Sequence, residues 1–241
     1  MADAAAFGSR MREHLEAVEQ ANGAVLDRVA ERLLAAIVTD RLVHVTGTGH
    51  STALVLEAFY RAGGLACVNP ITHPALDPLA GGQASTVLER SDRLAQVLLD
   101  RAAPQTGDIA FVYSNSGANP VPVLLAEGLR AAGVHVVAVS SRPQLAAAPQ
   151  RAHAKLDTVT DVLIDTNTPV GDAAYEAGDQ RTAALSSLTS IYLWNLLLAR
   201  LADRAAAAGV RLPLWTSANT PGGDERNAAL FATYRPRIRQ L

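Results

Sequence analysis

Cysteine is all but missing from this chain, with Cys67 alone among 241 residues. One thiol excludes a disulfide framework, and set between Ala66 and Val68 it reads as a small core residue of a protein kept in a reducing compartment. An excess of charge of either sign is missing too: 21 basic and 23 acidic residues leave a formal net charge of -2. No broad field recruits nucleic acid, so any bound anion must be held by a local site. Residues 1 to 19 lack a basic stretch followed by an apolar run, which argues against a secretory leader. The most apolar later segment, Thr182 to Leu201, is interrupted by Ser, Thr and Asn and suits a buried helix better than a membrane span. These absences predict a soluble cytoplasmic protein without a nucleic-acid or membrane partner. What the chain has in quantity is apolar side chain, 49% of residues, enough to bury a full core in a single domain over 1–241.

Residues 4 to 38 show helical periodicity, with Leu15, Val18, Val25, Val29, Leu33 and Ile37 spaced in threes, fours and a seven. The Asn22-Gly23 pair interrupts it and predicts two helices. Five β-rich runs follow, at Arg41 to Thr46, Leu65 to Asn69, Asp108 to Ser114, Val134 to Ser140 and Asp161 to Asp165. Helical stretches are expected between and after them at 50–62, 86–102, 121–132 and 143–155, then a long helix over about 181–208, an extended Leu212 to Ser217 and a last helix from near Asp224. The layout is N-terminal helices over 1–39, a sheet core with flanking helices over 40–210, and a C-terminal extension over 211–241. Near-continuous apolar strands alternating with helices predict an α/β fold, a three-layer sandwich around a five-stranded parallel sheet buried on both faces. Ligands of such sheets sit beyond the carboxyl ends of the strands.

Two segments lie at such ends. Val43-His44-Val45-Thr46-Gly47-Thr48-Gly49-His50-Ser51 and Phe111-Val112-Tyr113-Ser114-Asn115-Ser116-Gly117-Ala118-Asn119-Pro120 each run from an apolar strand through glycines and hydroxyls into a helix. Glycine permits the tight turn, hydroxyls donate to an anion, and a helix N-terminus offers free N–H groups. Asn119 suits an N-cap and Pro120 a first helical position. A dinucleotide site is disfavoured, because Thr52 occupies the third glycine position and Asn69-Pro70-Ile71 puts no acidic residue at the end of the second strand. No Gly-Lys-Ser/Thr completes a Walker loop. A small phosphorylated ligand held between two hydroxyl-rich turns fits better, although serines that merely cap their turns are the plain alternative.

These residues resemble the SIS (sugar isomerase) domains that bind phosphosugars. Gly47-Thr48-Gly49-His50-Ser51 looks like that family's first glycine-serine turn, and Ser114-Asn115-Ser116-Gly117 resembles its S-x-S-G phosphate loop, followed by a helix and by the strand ending at Ser140 and Ser141. The resemblance runs from about residue 10 to 235 and is greatest to single-domain members related to phosphoheptose isomerases, on Glu57-Ala58-Phe59-Tyr60-Arg61-Ala62-Gly63-Gly64, His153-Ala154-Lys155 and the tail Ser217 to Glu225. It implies a sheet of flavodoxin-type strand order and a sugar phosphate bound by Gly47, Thr48, Gly49, His50, Ser51, Ser114, Asn115, Ser116, Gly117, Asn119, Ser140 and Ser141. It also implies a homodimer or homotetramer. Asn119, Val121 and Val123 depart from the family, many of whose members carry a threonine and then an acidic residue there.

Aldose–ketose isomerisation needs a base to move a proton between adjacent carbons and an acid to open the sugar ring. Glu89, after Gly81-Gly82-Gln83-Ala84-Ser85, Glu57 on the helix after the first loop, and His73 after the second strand are the catalytic candidates. Glu57 stands four residues before Arg61, so a helix-face ion pair is its other reading. His153 is a second histidine candidate, His44 and His135 read as satisfied core residues, and His14 as a helix-surface residue. Pro169 to Glu176 has the composition of a ligand-facing loop, and Ser186, Ser187 and Thr189 beyond it are secondary candidates. No histidine pair has zinc spacing, so neither a metal nor another cofactor is expected. Gly222-Gly223-Asp224-Glu225 echoes a cyclic-dinucleotide synthase signature but precedes a helix and reads as coincidence. The alternative to an isomerase is a non-catalytic phosphosugar sensor that regulates a partner protein.

Overall fold

The computed structural model describes residues 4–241. Strands β1 (Val43–Gly47), β2 (Val68–Pro70), β3 (Ile109–Tyr113), β4 (His135–Ser140) and β5 (Val162–Asp165) form one parallel sheet in the order β2-β1-β3-β4-β5. This is the flavodoxin-type order, whose reversal at β1 and β3 opens a crevice at their carboxyl ends.

Alternation along the strands supplies both cores. Ile109, Phe111 and Tyr113 point to one face, together with Val43 and Val45. There they meet α1 (Ala4–Val38), α2 (Thr52–Ala58), α7 (Ser186–Ala207) and α8 (Gly223–Tyr234). Ala110 and Val112 point to the other face, onto α4 (Asp92–Ala102), α5 (Pro120–Ala131) and α6 (Arg142–Ala147). A period of 2 with both sets apolar is what a sheet covered on two sides requires. The short helix α3 (Gly82–Leu88) overhangs the carboxyl edge.

Several sequence expectations are revised, among them the helix expected over 50–62, which is α-helical only over Thr52–Ala58. The N-terminal segment is one helix rather than two: Asn22 is buried, donates to Val18 O at 2.7 Å and Asp165 O at 2.8 Å, and accepts from Asp165 N–H at 2.9 Å. It ties α1 to β5 instead of breaking the helix. The expected helix over 86–102 is split, with α3 ending at Leu88 and α4 beginning at Asp92. The stretch 143–155 is helical only as far as Ala147. Finally, residues 180–184 are strand: β6 (Ala173–Ala177) and β7 (Gln180–Ala184) form an antiparallel hairpin that turns at Gly178, φ +67°. Alanines in an exposed hairpin mimic a helical composition. The long helix starts only where Asp172 accepts from Leu185 N–H at 3.1 Å and Ser186 N–H at 2.8 Å.

His44 is a satisfied core residue, as expected. Its Nε2 lies 2.9 Å from Asp108 Oδ2, and its Nδ1 accepts from Asn69 Nδ2 at 3.1 Å. Burial pushes the Asp108 carboxyl up, but hydrogen bonds from His44 and from the Gln105 and Leu42 N–H groups outweigh it and hold the group low. Removing one partner of such a buried pair typically costs about 3–5 kcal/mol. His14 is partly exposed rather than free on the surface: its Nε2 sits 3.2 Å from Thr189 Oγ1 between α1 and α7. His135 is not fully core; it opens β4, partly exposed, 3.6 Å from Asp161.

Burial lowers the affinity of both His14 and His135 for a proton, despite opposing contributions from Thr166 and Asp161 respectively. A base depressed in the folded state binds protons preferentially in the unfolded chain, so stability is full above about pH 6.5 and falls as pH drops through that range. Asp108 adds a second loss below about pH 4. The melting temperature by calorimetry is therefore expected to fall from pH 7 to 5, less steeply in His14→Gln. A flat or rising profile over that interval contradicts the assignment.

Candidate active site at the carboxyl edge of the sheet

The first loop leaves β1 at Gly47, where a Cβ would lie 2.5 Å from the Ser51 carbonyl oxygen. Only glycine admits that approach. Gly49 then turns at φ +57°, a 3-10 turn spans Gly49–Ser51, and α2 follows, secured by Thr52 Oγ1 donating to Gly49 O at 2.7 Å. Among the described residues, the His50 and Ser51 side chains make no hydrogen bond and stand free at the cleft.

The second loop leaves β3 at Tyr113 and turns at Gly117, φ +56°, with Gly117 N–H donating to Ser114 Oγ at 3.2 Å. Three of its carbonyls are engaged within the protein. Asn115 O accepts from Ser141 N–H at 3.2 Å and Ser140 Oγ at 3.1 Å, Gly117 O from Leu156 N–H at 2.9 Å, and Ala118 O from Ala152 N–H at 3.1 Å. The N–H groups of Ser116, Ala118 and Asn119 meet no acceptor among the described residues. Unpaired N–H groups at the N-terminus of a helix such as α5 are groups to which an anion can bind. Asn115 is set from below, its Oδ1 accepting from Thr168 Oγ1 at 2.8 Å and Thr166 Oγ1 at 3.4 Å. That leaves its Nδ2 donors for the cleft.

Between the loops lies a cleft of about 510 Å³ lined by Thr48, Gly49, His50, Ser51, Pro78, Gly82, Ser85, Thr86, Glu89, Ser114, Asn115, Ser116, Asn119, Gln144, Gly171 and Asp172. That size suits a small ligand. Glu89 is its central group. Its Oε2 accepts from Thr48 Oγ1 of the first loop at 2.9 Å, its Oε1 accepts from Asn119 Nδ2 of the second at 2.8 Å, and its own carbonyl accepts from Val121 N–H of α5 at 3.0 Å. A side chain held at both oxygens and by its backbone is oriented before any ligand arrives. Asn119 occupies the N-cap position of α5, but its side chain serves Glu89 instead of capping.

Other residues singled out from the sequence lie elsewhere. Glu57 pairs with Arg61 and accepts from Asn195 of α7, outside the cleft. His73 caps a turn, its Nδ1 accepting from Ala75 N–H at 3.1 Å, and does not line the cleft. Ser140 and Ser141 are fully buried and support the second loop from behind, Ser141 also donating to Thr168 O at 2.7 Å. Gly47 and Gly117 shape the loops without lining the cleft. His153 pairs with Glu127 at 2.8 Å on the surface, Ser186 joins the Asp172 cap of α7, and Asp224 and Glu225 open α8. Cys67 is buried, its thiol pushed up to about 12 by desolvation. No group of three or more His, Cys, Asp and Glu able to hold a metal comes together among the described residues, and no described helix is long and apolar enough to cross a membrane. The supporting pair Thr166 and Thr168, and Arg151 near Asn119, carried no recognisable sequence signal, because each acts on a loop at least 32 residues away.

Comparison with known proteins places the chain in a family. The family model described as the SIS domain matches residues 6–141, which include both loops and Glu89. A UPF0309 protein of Listeria innocua is 34% identical over 207 residues, covering 84% of this chain and 83% of its own. A UPF0309 protein of Brucella anthropi is 35% identical over 212 residues, 87% of each chain. Among solved structures, a phosphoheptose isomerase from Neisseria gonorrhoeae superposes with TM-score 0.59 at 17% identity, over 83% of this chain and 96% of that one. One from Francisella tularensis gives 0.51 at 14% identity, over 82% and 95%. At those identities the likeness is one of fold.

Proposed function

We propose, from the premise that this chain belongs to the SIS domain family, that its cleft binds a sugar monophosphate and that Glu89 moves the proton in an aldose–ketose isomerisation. The observation that carries this reading is the bridge from Glu89 to both loops, which sets one carboxylate beside the unpaired N–H groups of the second loop. The phosphate would take the free N–H groups of the second loop and the hydroxyls of Ser51, Ser114 and Ser116. The sugar then extends toward Glu89 and Asn115. Isomerisation needs a proton taken from the carbon next to the carbonyl and returned to the former carbonyl carbon, and a fixed carboxylate serves both steps. His50 lines the cleft and would assist, whereas His73 and Glu57 do not line it. That the relatives of similar fold are named phosphoheptose isomerases supports the choice of ligand class.

A second reading, a phosphosugar sensor without turnover, draws on the engagement of Glu57 and His73 outside the cleft. Both readings take 1–241 as one cytoplasmic domain, assembled as a homodimer or homotetramer through apolar side chains such as Leu56, 73% exposed, and Tyr60, 52% exposed.

The test is a thermal-shift screen over aldose and ketose monophosphates, with nucleotides and inorganic phosphate alongside. At one hundred times its dissociation constant a ligand stabilises by about 2.7 kcal/mol, which is several degrees for a domain of this size. At least one sugar monophosphate is expected to reach that shift. Stabilisation by nucleotides and by no sugar phosphate would end the proposal.

A further inference from the structure

We infer that Arg151 is the positioning residue of Glu89, acting through Asn119. Among the described residues, the cleft is lined by two carboxylates, Glu89 and Asp172, and by no lysine or arginine. Asp172 is committed to the first turn of α7, accepting from Leu185 N–H, Ser186 N–H and Ser186 Oγ. Among the described residues, the side-chain donors to Glu89 are neutral, the Thr48 hydroxyl and the Asn119 amide. An asparagine amide can turn over, and in the turned orientation its carbonyl oxygen would face the carboxylate and repel it. Arg151 adds to the carboxylate's own preference from the far side of the amide. Its Nη1 lies 3.4 Å from Asn119 Oδ1, and because a guanidinium donates and never accepts, it holds the carbonyl toward itself and the NH2 toward Glu89.

Arg151 is tied to the anion loop by its own segment. The next residue, Ala152, donates its N–H to Ala118 O, and Leu156 donates to Gly117 O. A shift of the second loop around a bound phosphate therefore carries Arg151 and Asn119 with it, and the orientation of Glu89 follows. This role rests on the reading of Glu89 as the acid–base group, while the geometry it describes exists in the free protein.

The test is accordingly made first without ligand. In proton–nitrogen correlation spectra, the Asn119 side-chain NH2 pair, assigned by its loss in Asn119→Ala, is expected to be shifted downfield and slow to exchange. Arg151→Ala should move it toward the position of a free amide, and Arg151→Lys, which keeps a charged donor, should restore it in part. Arg93→Ala, an exposed arginine of α4, should leave it in place. With a turned-over sugar phosphate in hand, Arg151→Ala should lower kcat about tenfold with KM within about twofold. An Asn119 signal unmoved by Arg151→Ala, or moved equally by Arg93→Ala, overturns the inference. If the signal responds as stated and no sugar phosphate binds, the positioning role of Arg151 stands and the phosphosugar reading of the cleft falls.

Discussion

Replacing Glu89 by glutamine is expected to cut turnover of the sugar phosphate by about 10²- to 10⁴-fold while leaving its binding within a few-fold. Glutamine keeps the shape of the bridge. Its Oε1 can accept from Asn119 Nδ2 as the carboxylate does, and its Nε2 can donate to Thr48 Oγ1 once that hydroxyl rotates. What it loses is the ability to take a proton at carbon. A loss confined to kcat is the signature of a group needed only in the transition state. The measurement is deuterium exchange from solvent into the carbon-bound positions of the bound sugar phosphate, with affinity followed by calorimetry. Exchange at the parental rate in Glu89→Gln removes Glu89 from the chemistry; no exchange in the parent, with binding intact, favours the sensor.

The parts of this molecule that could be read in advance are those whose physics is local. Five apolar runs with helical spacers announce a doubly covered parallel sheet, and Gly47, Gly49 and Gly117 announce turns because only glycine tolerates them. The serines at the two strand ends could be placed at the ligand edge without knowing any partner. What could not be read is what depends on distant contacts. Asn22 looks like a helix breaker until β5 arrives to accept its side chain. Glu57 and Glu89 are both candidates by sequence; one finds Arg61 four residues away, and the other meets Thr48 and Asn119, 41 and 30 residues distant. His73 follows the second strand, but its ring caps the turn that begins at Pro74. Ser140 and Ser141 show the remaining ambiguity. A strand terminus fixes where a hydroxyl is along the sheet, and the packing of the loop over it decides whether it faces ligand or protein.

The phosphate contact is the centre of the account, and Ser116 isolates it. The Ser116 side chain makes no hydrogen bond among the described residues and lines the cleft, so removing its hydroxyl disturbs no internal network. A hydrogen bond to a charged group contributes about 1.5–3 kcal/mol, which corresponds to a loss of about ten- to a hundredfold in affinity. That loss should depend on the phosphate. The decisive measurement is calorimetric binding of one sugar phosphate and of the same sugar without its phosphate, to the parent protein and to Ser116→Ala. The expected result is a strong preference for the phosphorylated sugar that shrinks at least tenfold in the variant, with the affinity for the unphosphorylated sugar unchanged. Equal affinity of the parent for both sugars, or a preference that survives in Ser116→Ala at full size, would contradict the phosphate cradle.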